Sequence, residues 1–221
     1  MITLRGVSRR YGAVAALEEV SLDLGEGEVL CVLGPSGSGK TTLLRIVAGL
    51  EPPDTGEVAI DGRVASAPGR VIPSHLRGMG LVPQTAALWP HMTVAQNILF
   101  GLQNLSRGEA RGRLGMLLAA TGLGALAGRY PHQISGGEAR RVALARALAP
   151  RPRCLLMDEP LTNLDPDLKT SLLDLIAGLR AEMGASLLYV THHADEAEAL
   201  GGRVLTLRAG RVEGAEADCG G

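Results

Sequence analysis

Short apolar runs divided by polar, glycine-containing turns set the pattern of this chain. The period of those runs changes along it. Ile2, Leu4 and Val7, then Val20, Leu22 and Leu24, alternate with polar residues, which predicts half-buried strands over 2–8 and 14–24. Gly25-Glu26-Gly27 is a turn into Val29–Leu33, a continuous apolar run that reads as a buried strand. From Lys40 onward, Leu43, Leu44, Val47 and Leu50 recur at helical spacing. Residues 56–60 read as a strand ended by the Asp61-Gly62 turn, residues 63–78 as a loop, and residues 79–84 as a short strand stopped by Pro83. Helical patterning then takes over, with helices expected at 93–101, 107–121 and 136–148. Three short apolar strands follow, at 155–157, 186–190 and 204–207, with helices at 166–183 and 194–200 between them. Strands alternating with helices imply a parallel sheet, and the helical block reads as an insertion in it. The tail from Gly214 is small and polar and is expected to fray.

The candidate chemistry begins where the buried strand meets the helix. Gly34-Pro35-Ser36-Gly37-Ser38-Gly39-Lys40-Thr41, followed by Thr42, matches the phosphate-binding pattern G-x-x-x-x-G-K-[ST] in the required strand–loop–helix setting. Glycines let successive backbone N–H groups turn toward an anion, and the helix aims its positive end at the same point. Lys40 supplies a mobile charge for the β- and γ-phosphates, and the Thr41 hydroxyl is suited to ligate Mg²⁺.

A second strand, Cys154–Met157, ends in the paired acids Asp158 and Glu159. Ligands of open parallel sheets bind at such carboxyl ends. Asp158 suits Mg²⁺, directly or through water, and Glu159 suits the orientation and deprotonation of an attacking water. Ile134-Ser135-Gly136-Gly137-Glu138 stands one step before a helix. Ser135 and Glu138 form an S-x-x-E capping box, and the same helix start is also an anion site. Two anion sites in one chain make sense if the second serves a nucleotide bound on another subunit.

Composition narrows the setting. The 221 residues suit one α/β domain with an inserted lobe, and the formal net charge of -1 with no basic stripe argues against a nucleic-acid partner. Lys occurs only at Lys40 and Lys169, so the remaining positive charge is Arg. No apolar run approaches the ~18–20 residues that span a bilayer, and Met1–Arg5 has no leader-like layout. The cysteines Cys31, Cys154 and Cys219 show no metal-ligand spacing; Cys31 and Cys154 read as small core residues in a reduced, cytoplasmic protein.

Gly34–Thr41, Ile134–Glu138, Leu155–Glu159 and His192, in this order and spacing, resemble the ATPase subunit of an ATP-binding cassette (ABC) transporter over roughly residues 2–213. The resemblance implies an α/β fold: a phosphate-loop, RecA-like core with an N-terminal antiparallel β subdomain and an inserted helical lobe. Residues 1–86 and 152–215 would form the core, 87–151 the helical signature lobe, and 216–221 a flexible tail. ATP and Mg²⁺ are the implied cofactors. Tyr11 matches the aromatic that stacks on adenine, with a purely structural Tyr as the alternative. Gln84 matches the glutamine that reaches Mg²⁺ and water, and His192 the switch histidine at the γ-phosphate. Ser135, Gly136 and Gly137 would meet the γ-phosphate held by the opposite subunit of a head-to-tail dimer, and Leu164-Asp165 the loop crossing that interface. The departures are Ile134 for Leu, Glu138 for Gln, Ala139 for a polar residue, and His193 where an acid is common. Glu138 adds negative charge near phosphate unless the helix cap ties it up.

The stretch 87–101 holds the only Trp, Trp89, and the only Phe, Phe100, directly after Gln84. Core packing is one reading; the other is a partner surface, where Trp and Met are enriched. By resemblance it is the segment of bacterial importer ATPases that receives a helix of the membrane subunit. Such subunits serve polyamine, iron, sulfate, molybdate, thiamine or sugar importers. The expectation is therefore a motor peripheral to the inner face of the plasma membrane. It would pair as a homodimer or with a related ATPase, drive integral membrane permease subunits, and meet a solute-binding protein through them. No C-terminal regulatory domain is expected after residue 215. An exporter or lipid-extraction motor is the alternative within transport, and a soluble ABC-type ATPase acting on nucleic acid or ribosomes the alternative outside it.

Overall fold

The computed structural model describes residues 1–103, 105–162 and 164–219. Two sheets carry the chain. The first is antiparallel and takes β1 (Ile2–Tyr11), β2 (Val14–Leu24), β4 (Thr55–Ile60), β5 (Arg63–Ala67) and β6 (Arg70–Val71) in the order β2-β1-β4-β5-β6. The second takes β3 (Val29–Leu33), β7 (Met79–Val82), β8 (Cys154–Asp158), β9 (Ser186–Thr191), β10 (Gly202–Arg208) and β11 (Arg211–Cys219) in the order β11-β10-β3-β9-β8-β7. It is parallel except for the β10–β11 pair. The helices are α1 (Lys40–Ala48), α2 (Val94–Leu99), α3 (Arg107–Ala120), α4 (Gly136–Leu148), α5 (Pro166–Met183) and α6 (Ala194–Leu200).

The central strands are buried on both faces, so their alternation is hidden in continuous apolar sequence. Leu30 and Val32 of β3, Leu156 of β8, and Leu188 and Val190 of β9 join a core shared with α1 and the antiparallel sheet, through Leu4, Leu17, Leu43, Leu44 and Val47. Their neighbours Cys31, Leu155, Met157, Leu187 and Tyr189 face the opposite core, which includes Val94 and Ile98 of α2 and Val142, Leu144 and Ala145 of α4. Burial pushes the thiols of Cys31 and Cys154 up to about 12, so both act as core residues.

Two expectations are corrected. Residues 63–78 are not one loop: Asp61 (φ 50°) and Gly62 (φ 73°) turn β4 into β5, and β5 continues to β6. Val64, Ala65, Ser66 and Ala67 carry little hydrophobic signal, yet Ala65 and Ser66 are buried because the sheet, not the local sequence, recruits them. The fraying expected from Gly214 is replaced by a strand: the backbone of β11 pairs with β10 as far as Cys219, opposite Gly202. Gly220 and Gly221, the end of the expected tail, lie outside the described residues.

One side chain ties α1 to the antiparallel sheet. Arg77, buried, donates to Val47 O (2.7 Å) and Ile46 O (3.3 Å) at the C-terminal end of α1. It also donates to Ile72 O (2.9 Å), Ala65 O (3.1 Å) and the Ser66 hydroxyl. The guanidinium thus stabilises the negative end of the helix that starts at the phosphate loop. Replacing it strands several buried carbonyls, each costing about 1–3 kcal/mol when left unsatisfied. We therefore expect Arg77→Met to lower unfolding stability by about 3 kcal/mol or more, read as a shifted midpoint in urea denaturation.

Candidate active site

Strand register gathers the candidate residues at one rim. In the parallel sheet Leu33 lies opposite Thr191, Asp158 opposite Val190, and Val82 opposite Met157. The residues just past these ends are Gly34, His192, Glu159 and, two positions beyond Val82, Gln84. Four segments far apart in sequence therefore leave the sheet side by side.

At this rim Lys40 is buried, and its ammonium donates to Gly34 O (2.7 Å) and Pro35 O (3.0 Å). It also pairs with Glu159 Oε1 at 3.2 Å. The other oxygen of the same carboxylate, Oε2, lies 3.2 Å from His192 Nδ1, so a proton on Nδ1 is donated to Glu159. The Glu159 backbone is held at φ 43°, a left-handed conformation rare for residues other than Gly and concentrated at functional sites. Thr41 Oγ1 donates to Asp158 Oδ1 at 3.1 Å. Burial raises the Asp158 carboxyl above the ordinary range, against the Thr41 hydrogen bond, and the nearby Glu159 charge pushes the same way.

The rim fits a Mg²⁺ nucleotide. Gly39, at φ 106°, lies so close to β2 that a Cβ there would sit 2.2 Å from Ala16 O, so only Gly fits this approach. The buried Ser38 hydroxyl has no hydrogen-bond partner among the described residues. Thr41 and Asp158 offer hard oxygen atoms of the kind that Mg²⁺ takes alongside phosphates. Tyr11, Ser36, Gly37, Gly39, Lys40, Thr41, Thr42, Gln84 and Glu159 line one open cleft of about 360 Å³. Tyr11 stands half-exposed at its mouth, with its hydroxyl bonded to Glu51 and the Arg9 guanidinium 5.1 Å from its ring centre.

The signature residues are elsewhere. Ser135, Gly136 and Gly137 are not among the residues lining that cleft. Ser135 caps α4: its hydroxyl accepts from Glu138 N (3.3 Å), and Glu138 Oε2 accepts from Ser135 N (2.7 Å). These bonds hold the Glu138 carboxylate below its usual range, so its negative charge is engaged in the cap. A Cβ on Gly137 would meet Cδ2, the movable end of the Leu168 side chain, at 2.4 Å. Asp165 caps α5, accepting from Leu168 N at 2.9 Å.

Supporting residues not read from the sequence complete the site. Glu196 is buried and accepts from Tyr189 Oη (2.8 Å) and Thr191 Oγ1 (2.7 Å), with Lys169 Nζ 2.9 Å away. Thr191 Oγ1 in turn accepts from His193 N at 3.1 Å, which fixes the backbone beside His192. Asn97, fully buried, accepts from Trp89 N and donates to the carbonyls of Trp89, Met92 and Thr93. It holds out a half-exposed pair, Trp89 and Phe100, whose rings sit 5.5 Å apart. The sequence signal for Asn97 was its place on the apolar face of α2; Glu196 gives none, since it looks like one acid among several.

Two outcomes test this geometry. Gly137→Ala should leave unfolding stability within about 1 kcal/mol of the parental chain, measured by denaturant unfolding, because the movable end of Leu168 can give way and Ala gains helix propensity in α4. Because Asp158 holds its proton to higher pH when folded than unfolded, its contribution falls as pH rises through that window. Asp158→Asn should therefore raise the melting temperature without nucleotide at neutral pH, and the gain should shrink toward the ordinary carboxylate pKa of about 4.

Comparison with known proteins places this geometry. The family pattern described as ABC transporter matches residues 17–162. The chain is 48% identical over 214 residues to the Fe(3+) ions import ATP-binding protein FbpC of Streptomyces avermitilis, covering 96% of this chain and 61% of that protein. It is 44% identical over 213 residues to the spermidine/putrescine import ATP-binding protein PotA of Methylococcus capsulatus, covering 96% and 54%. It is 44% identical over 214 residues to the sulfate/thiosulfate import ATP-binding protein CysA 2 of Chromobacterium violaceum, covering 96% and 57%. The chain thus spans less than two thirds of the length of these relatives. Among solved structures, the dimeric MJ0796, a bacterial ABC transporter cassette, superposes with a TM-score of 0.89 at 34% identity, covering 100% of both chains. A dimeric post-hydrolysis state of the same cassette, bound to ADP and Pi, gives 0.87 at 33% identity, again over 100% of both chains. The fold is a RecA-like phosphate-loop core with an N-terminal β subdomain and a helical subdomain, and the chain belongs to the ABC transporter family of ATP-binding cassettes.

Proposed function

We propose that this chain is the ATP-hydrolysing motor of an ABC importer, paired head to tail with a second copy or a related ATPase, and driving separate membrane permease subunits. The observation that carries the hydrolytic part is the convergence of Lys40, Glu159 and His192 through two contacts of 3.2 Å at the phosphate-loop rim.

The residues divide the work as follows. Tyr11 stacks on the base. The loop N–H groups from Gly34 to Thr42 and the Ser38 hydroxyl bind phosphate oxygens. Lys40 exchanges its contacts with Gly34 O, Pro35 O and Glu159 for the β- and γ-phosphates. That exchange releases Glu159 to accept a proton from water, with His192 beside it. Thr41, Asp158 and Gln84 would hold Mg²⁺, which neutralises charge on the phosphates when bound. Ser135, Gly136 and Gly137 complete the site across the dimer. In support, they lie outside the cleft of their own chain, and the similar solved cassettes are described as dimeric.

Import is supported by the word itself in the names of the iron, polyamine and sulfate relatives. It is also supported by the exposed Trp89–Phe100 pair, a surface suited to a membrane subunit's helix. Those relatives differ in cargo at similar identity, so the cargo class is left to the partner subunits. A solute-binding protein would be met only through them. Among the described residues no helix is long and apolar enough to cross a membrane, so attachment to the inner face of the plasma membrane would run through the permease.

Glu159→Gln should cut steady-state ATP hydrolysis by about 10²–10⁴ while keeping ATP binding, and should trap an ATP-dependent dimer in light scattering. Hydrolysis at the parental rate would remove Glu159 from its role. For the transport claim, tagged chain purified from solubilised native membranes should bring down a multi-span protein, and a solute-binding protein in addition would establish import. Co-purification with ribosomes or DNA enzymes alone would overturn the transport reading.

A further inference from the structure

Gln84 and Glu159 leave the sheet from different strands, β7 and β8, whose register ends at Val82 and Met157. Past the rim both lie in irregular segments, yet their proposed tasks require a fixed separation. One side chain spans the gap. Arg140, in the second turn of α4, sends Nη1 to Gln84 O at 2.8 Å and to Pro160 O. Its Nη2 reaches Thr162 O at 3.2 Å. Pro160 directly follows Glu159, and Thr162 closes the turn by donating its hydroxyl to Glu159 O at 3.1 Å. The guanidinium is thus bonded to the backbone of both segments at once.

The chemistry of the group matters. Arg presents five N–H donors in a rigid plane, so it can fix several carbonyls relative to one another; Lys is a point donor on a flexible stem. The partners here are backbone carbonyls, so the charge serves to orient peptide groups. Glu159 also sits at φ 43°, a conformation that persists only where its surroundings over-determine it. The clasp on the turn from 159 to 162 is one such restraint.

We propose that Arg140 is a positioning residue for hydrolysis: from the helical lobe it sets Gln84 against Glu159, so that metal and water are held at the right distance from the base. This rests on the hydrolytic reading of the rim. Arg140 lies outside the nucleotide cleft, so its loss should leave ATP binding intact.

The test compares the parental chain with Arg140→Met and Arg140→Lys in ATP turnover, ATP affinity, Mg²⁺ dependence and melting temperature. A small misplacement far from the chemistry can cost about 10²-fold, so the Met variant should lose about 10- to 100-fold in kcat. ATP affinity should be unchanged and the Mg²⁺ concentration for half-maximal rate should rise. The Lys variant should recover part of kcat. Should the Met variant fail to fold, the Lys variant decides, through a raised Mg²⁺ requirement at parental ATP affinity. Parental kcat and Mg²⁺ dependence in the variants would overturn the inference, as would a loss of rate matched by loss of ATP affinity. A parental chain that binds but never hydrolyses ATP would instead overturn the hydrolytic reading, and this inference with it.

Discussion

The site depends on the parallel register of β3, β9 and β8. Because Leu33 pairs with Thr191 and Val190 with Asp158, the phosphate loop, His192 and the acidic pair all begin at one level of the sheet. A slip of one residue in any of these strands would exchange its two buried faces and also withdraw a functional group from the rim. The two apolar cores hold that register from either side, which is how hydrophobic packing comes to determine a distance between Lys40 and Glu159.

Besides ion pairs such as Arg203–Glu28 and Arg211–Glu18, arginines bonded to backbone carbonyls join the parts around this sheet. Arg77 grips the end of α1 from the antiparallel sheet. Arg113 reaches Leu148 O at the end of α4. Arg140 and Arg146 of α4 both hold the segment after β7, the first at Gln84 O and the second at Ala86 O and Ala87 O. Each is at least partly buried and bonds backbone carbonyls, and burial lowers the pKa of all four. A planar fork is suited to this, since it fixes loop backbone that has no strand partner. With Lys kept only at positions 40 and 169, the chain places both lysine ammonium groups where a movable charge touches an acid near the rim, Glu159 and Glu196 respectively.

The fold was legible where pattern is local. Lys40–Ala48 announces itself by period, Gly136–Leu148 by its capping box, and Val29–Leu33 by its bounded apolar run. β5 was not legible, because Val64-Ala65-Ser66-Ala67 becomes a strand only through pairing with β4. For the site, Lys40, Thr41, Asp158 and Glu159 follow from strand ends that can be read directly, whereas His192 came only from the family resemblance. What the sequence hides is support: Glu196, Asn97 and Arg140 act through burial and through partners 4 to 56 residues away. The helix cap made by Asp165 was likewise hidden behind its family resemblance.

The central claim is that each chain carries half of a hydrolytic site, with its rim completed by the signature residues of a second chain. Phosphate release per chain at saturating Mg²⁺ and ATP, measured across protein concentrations that span dimer dissociation, tests it most directly. The expected result is a rate per chain that climbs with concentration and levels off as dimers form. A constant rate per chain down to concentrations where light scattering shows only monomers, or no phosphate release at any concentration, would contradict it.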